Sequence, residues 1–241
     1  IAEDSGIAVQ DVQQMAMETA FAAGTQARFS ADGARPDGNP APATSLGVFA
    51  GIQAAVRFAF GEDLAGKKIA IQGVGHVGLR LARHLHKAGA QLYVSDIFDE
   101  NLKIAQQELG ATIVDNANIH ALDVDVFAPC ALGGAINTTN IAQIKAKIIA
   151  GAANNQLANK ALDSELWANK KLYVPDYVIN AGGIIDLHHQ IQDDSSEQIL
   201  RKQLLAIGET VTSVLTRASE QNQPTQQVAN EIAEQKFKKL S

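Results

Sequence analysis

KKIAIQGVGHVGLRLARHL, residues 67–85, continued by QLYVSD ending at Asp96, reads as strand, glycine turn, helix and second strand in unbroken order. Residues 69–71 make a short apolar run, and Val77, Leu79, Leu81 and Leu85 recur along one side of the helix that opens directly afterwards. Between them stand Gly73, Gly75 and Gly78. In such a unit the first glycine permits a tight turn, the second lets the backbone approach a pyrophosphate, and the third lets helix and strand pack closely. The helix N-terminus then presents free N–H groups and a positive dipole end to the phosphates. With 19 glycines in 241 residues the triplet alone is a weak signal, and the flanking pattern is what gives it weight. A second strand at 92–94 ends at Asp96, 18 residues beyond Gly78, where a carboxylate is placed to bind the adenosine ribose hydroxyls. A carboxylate there repels the additional phosphate of NADP, so the reading is NAD.

Composition narrows the class further. An apolar content of 46% over 241 residues is ample for one large or two small cores. A net charge of -6, with no lysine or arginine cluster beyond a pair, argues against nucleic acid or an anionic membrane surface and for a small-molecule ligand. The lone Cys130 excludes an internal disulfide and a cysteine-cluster zinc site, which fits a reducing cytoplasm. No metal signature is present. The most apolar window, GVFAGIQAAVRFAF at 47–60, is cut by Arg57 and reads as too short to span a bilayer. The N-terminus, IAEDSGIAVQDVQQM, is acidic and lacks the basic-then-apolar form of a signal peptide. It begins without methionine and in mid-pattern, so a longer parent protein is expected.

Along the chain, residues 8–23 read as a short helix with Val9, Val12, Met15, Ala16 and Ala20 as its apolar side. A polar, glycine- and proline-rich stretch at 24–42 reads as linker or loop. A helix follows from about residue 44 to 60, with Pro42 before it and Leu46, Phe49, Ile52, Ala55 and Val56 along one side. Beyond Asp96, the apolar runs VDVFAP (124–129), KIIAGAAN (147–154) and KLYVPD (171–176) alternate with helical or glycine-containing segments. This predicts an α/β fold: a Rossmann-type, doubly wound, mostly parallel sheet with helices on both faces. The runs lead into PCALGG, AANNQ and PDYVINAGG, which should converge on the cofactor at the carboxyl ends of the strands. In the tail, Leu200, Leu204, Ile207, Val211, Leu215 and Ala218 form a stripe that reads as internal packing. A break at 221–224 precedes a last helix carrying Val228 and Ile232.

Taken in order, NPAPAT with GVFAGIQAA, QGVGHVG, VSD, DVFAPCALGG, AGAANNQL and PDYVINAGG resemble the glutamate, leucine, phenylalanine and valine dehydrogenase family, and within it most nearly the leucine dehydrogenase branch. The resemblance implies NAD-dependent oxidative deamination of an L-amino acid to its keto acid and ammonium, and the reverse reductive amination. It implies that Gly73, Gly75, Gly78 and Asp96 contact the pyrophosphate and ribose, and that Thr44 lies beside the nicotinamide amide. Cys130 and Ala131 resemble strand-end residues flanking the nicotinamide half, with Cys130 read as packing rather than as a nucleophile. Asn154, Asn155 and Asn180 resemble residues near the nicotinamide ribose and the substrate, and Asp4, in AEDSG, resembles the family's catalytic aspartate. Such a base would shuttle protons while water attacks the imine left by hydride removal.

The chain also departs from the family. An upstream glycine-rich segment there carries a substrate-binding lysine, and a second lysine helps to activate water; here no lysine precedes Lys67. Ser5 and Ile7 replace the expected small and hydroxyl residues after Asp4, leaving a helix-start aspartate as the alternative. Ile184 and Leu187 follow the double glycine, where family members place side chains against the substrate's variable group. Both are aliphatic, which disfavours a dicarboxylic substrate, fits branched aliphatic amino acids and leaves a phenylalanine-type substrate open. The six histidines read as structural or surface groups; His188 and His189 are adjacent and would point about 100 degrees apart on a helix.

The organisation expected is a remnant of the substrate domain and linker at 1–44, an NAD-binding domain at 45–190, and C-terminal helices at 191–241 folding back toward the remnant. A homo-oligomer is compatible with this. The competing function is a catalytically silent NAD-binding module, favoured by the absent lysines as the enzyme is favoured by NAGG. A nucleotide-fold enzyme such as a methyltransferase has no use for ANNQL or NAGG.

Overall fold

Alternation of apolar side chains between two faces sets the architecture of this computed structural model, which describes residues 2, 6–25, 38–191 and 196–238. Helices α1 (Val9–Met15) and α2 (Ala41–Phe60) precede the glycine unit of β1 (Lys68–Gln72), α3 (His76–Lys87) and β2 (Gln91–Ser95). Next come α4 (Asp99–Leu109), β3 (Thr112–Ile113), β4 (Val126–Pro129), β5 (Ile148–Ile149), α5 (Ala161–Ala168) and β6 (Leu172–Tyr173). The chain closes with α6 (Asp176–Ile179), α7 (Gly182–Gln190), α8 (Glu197–Gln221) and α9 (Thr225–Lys238).

All six strands are parallel, in the order β3-β2-β1-β4-β5-β6. The chain therefore steps outward from β1 to β3, then returns to the other side of β1 to begin β4. That reversal opens a crevice beyond the carboxyl ends of β1 and β4, the place where such sheets hold ligands. Register is set by burial: Ile69 lies opposite Leu92 and Val126, and these, with Ile71, Val94, Ala128 and Ile148, face α2, α3 and α8. Their neighbours Ala70, Phe127, Ile149 and Tyr173 point the opposite way, onto Leu162 and Leu166 of α5. A strand buried on both faces reads as a continuous apolar run, and VFAP in β4 and IIA through β5 do so.

Several expectations are corrected. The helix expected over 8–23 ends at Met15, and the residues that follow form turns. Helix α2 begins at Ala41, because Asn39 Oδ1 accepts the Ala41 N–H at 2.8 Å and Pro42, inside the first turn, lacks only a donor the helix does not use there. At 20 residues α2 is long and apolar enough to cross a bilayer, so the short-window reading fails; but 56% of its apolar stretch is buried, packed on α3, α7 and α8. It is the core helix of the fold. On α3 the buried positions are Gly78, Leu81, Ala82 and Leu85, while Val77 and Leu79 are half-buried. Between β4 and β5 the crossover carries only a 3-10 turn, Ile141–Gln143. The tail stripe is buried as expected, with α8 along α2 and Asn222 ending it in the left-handed conformation.

Candidate functional site: a dinucleotide crevice at the strand reversal

The glycine loop is held by contacts that only glycine allows. Gly73 has φ +95, and a Cβ there would lie 2.8 Å from the Ala131 nitrogen. A Cβ on Gly78 would stand 2.0 Å from the Gly73 carbonyl oxygen, so α3 rests directly on the turn. Gly75 differs: at φ -75 its conformation is open to any residue, and a Cβ would meet nothing within 4 Å. The space in front of Gly75 is thus vacant, and no side chain caps the α3 N-terminus behind it. Free N–H groups, a positive dipole end and an unfilled cradle fit a pyrophosphate.

Asp96, just past β2, closes the loop from the other side. Its carboxylate accepts the Val74 N–H at 2.7 Å and the Phe98 N–H at 2.9 Å, with the Asn101 amide at 3.5 Å. Two backbone bonds fix the carboxylate beside the glycine turn; Oδ2 accepts from both Val74 and Asn101, whereas Oδ1 accepts only from Phe98 and keeps a lone pair for a ribose hydroxyl. Exposed Ile97 and Phe98 flank it.

On the far side of the reversal, the loops after β4 and β5 are zipped together. Ile136 and Leu157 form a parallel bridge, Gly134 donates to the Asn155 carbonyl at 2.8 Å, and Ala153 donates to Pro129 at 3.0 Å. Asn180, ending α6, donates to the Ala152 carbonyl at 3.1 Å and to Asn154 Oδ1 at 2.6 Å. The Cys130 β-carbon lies 3.4 Å from the position of a Gly78 Cβ, and the Cys130 sulfur takes a backbone hydrogen bond from Ala152. A continuous line therefore runs from Gly78 and Gly73 through Cys130 and Ala131 to Ala152, Asn180 and Asn154. Burial pushes the Cys130 thiol up to about 12, against the smaller opposing effect of the Ala152 bond, so it is no nucleophile at neutral pH.

Thr44 lies in the first turn of α2, where its hydroxyl donates to Pro40 at 3.0 Å. The N-terminus of α7 presses on it: a Cβ on Gly183 would be 2.8 Å from Thr44 Oγ1, and one on Gly182 would be 2.4 Å from the Ala43 carbonyl oxygen. From that same helix Ile184, 68% exposed, and half-buried Leu187 project at helical spacing. Leu187 also meets the amino-terminal segment, its Cδ2 being 3.1 Å from where a Gly24 Cβ would stand. Asp4 lies outside the described residues.

Asn155 has a structural task. Its backbone is left-handed at φ 52, and its N–H donates to Asp176 Oδ2 at 2.5 Å. Asp176, which the sequence reading passed over, also accepts from the Tyr173 hydroxyl at 3.0 Å and so ties β6 and α6 to the loop after β5. The available signal was an aspartate directly after Pro175 at a helix start. Of the histidines, His189 is buried with its Nε2 2.9 Å from Gln203 Oε1, while His188 is exposed. No group of histidine, cysteine and carboxylate suited to a metal occurs among the described residues.

A parallel 3-2-1-4-5-6 sheet with a glycine turn, an uncapped helix N-terminus and an acidic residue ending the second strand defines a Rossmann-type fold with a dinucleotide crevice. Within that class the chain belongs to the glutamate/leucine/phenylalanine/valine dehydrogenase family, whose model matches residues 39–98 and 93–241. It is 42% identical over 237 residues to an L-tryptophan dehydrogenase of Nostoc punctiforme (98% of this chain, 65% of the relative). It is 41% identical over 240 residues to a leucine dehydrogenase of Geobacillus stearothermophilus (99% of this chain, 64% of the relative). The crystal structure of the Nostoc L-tryptophan dehydrogenase matches with a TM-score of 0.80 at 44% identity, covering 83% of this chain and 61% of that one. The chain thus spans just under two thirds of the length of these relatives.

Proposed function

We propose that this chain is the cofactor-binding part of an NAD-dependent amino acid dehydrogenase acting on a branched-chain or other apolar L-amino acid. The observation that carries this is the continuous line from the glycine turn through Cys130 to the Asn180–Asn154 pair. It joins a phosphate cradle to amide side chains at the strand reversal. A bound nicotinamide dinucleotide would supply the acceptor for the hydride leaving the amino acid's α-carbon.

The chain's own residues bind and orient. Gly73, Gly75 and Gly78 with the α3 N-terminus hold the pyrophosphate; Asp96 takes the ribose hydroxyls and disfavours a phosphate in their place. Thr44, Ala131, Asn154 and Asn180 line the nicotinamide half, with Asn155 and Cys130 shaping its walls. Positioning of this kind is worth several powers of ten in rate when both reactants are held in register. Ile184 and Leu187 give the substrate side chain an apolar face, where a dicarboxylate would be buried without a partner. The relatives named for leucine and for tryptophan fit that preference. Asp4 is proposed as the proton carrier. Residues 1–44 belong to the substrate-binding side, 45–190 to the cofactor domain and 191–241 to its supporting helices. The setting is cytoplasmic and the assembly a homo-oligomer.

The alternative is a silent NAD-binding module. One experiment separates the two: following NADH oxidation with ammonium and the keto acids of leucine, tryptophan and glutamate. Turnover with the first two and little with the third supports the dehydrogenase. Binding of NADH without turnover by the full-length protein would sink it.

A further inference from the structure

At the opposite end of the sheet from the glycine loop, where β5 and β6 begin, a cavity of about 580 Å3 opens between the end of α2 and the α5–β6 turn. Lys147, Lys170 and Lys171 line it and no acidic side chain does, in a chain whose net charge is -6. Nearby Lys67 is different, because Glu62 holds its ammonium at 2.5 Å. Lys147 Nζ donates to the Ala59 carbonyl at 2.9 Å and lies 4.8 Å from the centre of the Phe60 ring. Lys171 Nζ donates to the Lys145 carbonyl at 2.9 Å. Each ammonium has three N–H groups, so both keep donors to offer. The Lys170 side chain has no partner among the described residues, and its backbone is left-handed at φ 56, a conformation uncommon outside glycine and asparagine. Burial lowers the pKa of Lys171, the mark of a cation partly stripped of water and without a counter-ion.

Apart from Asn222, the remaining walls are apolar, with two aromatic rings among them. Trp167 is fixed by its indole N–H, which donates to Asn222 Oδ1 at 3.3 Å, and Phe58 lines the same space. The volume suits a small organic ligand. We propose that this cavity binds a small polyanion carried on a flat ring, an aromatic carboxylate or phosphate, with the ring against Trp167 and Phe58 and the anionic groups on Lys147, Lys170 and Lys171. The site lies apart from the dinucleotide crevice and does not depend on the reading of the chain as a dehydrogenase.

Trp167 is the only tryptophan in the chain, so its emission reports directly on this cavity. Titration with benzene-1,3,5-tricarboxylate at fixed ionic strength should give a saturable change. Lys170→Gln and Lys171→Gln should each weaken it roughly tenfold, the cost of losing one hydrogen bond to a charged group. Melting temperature and NADH binding should not move in either variant, and the neutral triamide should be silent. The proposal is overturned by the absence of a saturable change, by an equal response to the triamide, or by unaltered affinity in the Lys170→Gln/Lys171→Gln double variant.

Discussion

Gly78→Ala should destabilise the fold, whereas Gly75→Ser should leave it intact and block the ligand. At Gly78 the new methyl would sit 2.0 Å from the Gly73 carbonyl oxygen and 2.9 Å from its carbon. Carbon–oxygen contacts below 3 Å are essentially unknown, so the α3 N-terminus must retreat by about 1 Å. Because Leu81, Ala82 and Leu85 anchor α3 in the core, that retreat disturbs their packing. Overpacking of this kind costs about 1–3 kcal/mol, and the better helix propensity of alanine returns at most ~1. A net loss of about 1–2 kcal/mol lowers the melting temperature by roughly 2–8 °C in a chain of this size. At Gly75 a side chain meets open space, and serine is as good an N-cap residue as glycine, so the melting temperature should stay within about 2 °C. The same side chain fills the cradle, and NADH affinity should fall by roughly tenfold or more. Thermal unfolding and an NADH titration on both variants read these effects. Gly78→Ala melting like the parent would refute the close approach of helix and turn. Gly75→Ser binding NADH unimpaired would refute the placement of the pyrophosphate.

Other expectations follow from individual groups. Asp96→Ser removes the charge opposed to a ribose phosphate, and the NADH-over-NADPH binding ratio should fall roughly tenfold or more; an unchanged ratio in calorimetric titrations rejects Asp96 as the discriminator. Cys130, with its thiol pushed up to about 12 by burial, should react with iodoacetamide at pH 8 about a thousandfold more slowly in the folded than in the unfolded chain; rapid labelling of the native protein contradicts the site's packing. Asp186 is buried, its carboxyl raised to about 6 by desolvation, with Gln190 and His189 opposing, and its Oδ1 has no hydrogen-bond partner. A raised folded value means that its contribution is fully present below the unfolded value near 4 and is lost as pH rises through about 6. Asp186→Asn should therefore raise the melting temperature at pH 7–8, by an amount equivalent to about 1–2 kcal/mol, and have little effect at pH 4; the reverse pattern in a pH series of melts would overturn the assignment.

Local patterning carried most of the fold. The strand–glycine–helix–strand unit, the runs that became β4, β5 and β6, and the buried stripe of α8 all follow from side chains that must alternate or recur to reach a core. What escaped depends on contacts distant in sequence or on backbone alone. Edge strand β3 exposes both Thr112 and Ile113 and pairs only through the backbone, so it leaves no apolar run to read. The start of α2 was hidden by two prolines, which the first turn tolerates. Helix α1 falls short because small alanines at 16 and 20 offer too little area to hold its continuation. Around the strand reversal, the motif places the glycines, Asp96 and Asn180 where the structure has them, at the turn after β1, just past β2 and at the end of α6. The tie of Asp176 to the Asn155 N–H and the burial of Asp186 were not legible, since each is created by packing between separate elements.

The central claim is that the crevice at the strand reversal binds NAD. Calorimetric titration of this chain with NADH and, separately, NADPH tests it most directly. The structure predicts saturable binding of one NADH per chain and affinity for NADPH weaker by roughly tenfold or more, the effect of a phosphate facing Asp96. Absence of NADH binding, or equal affinity for the two, would contradict it.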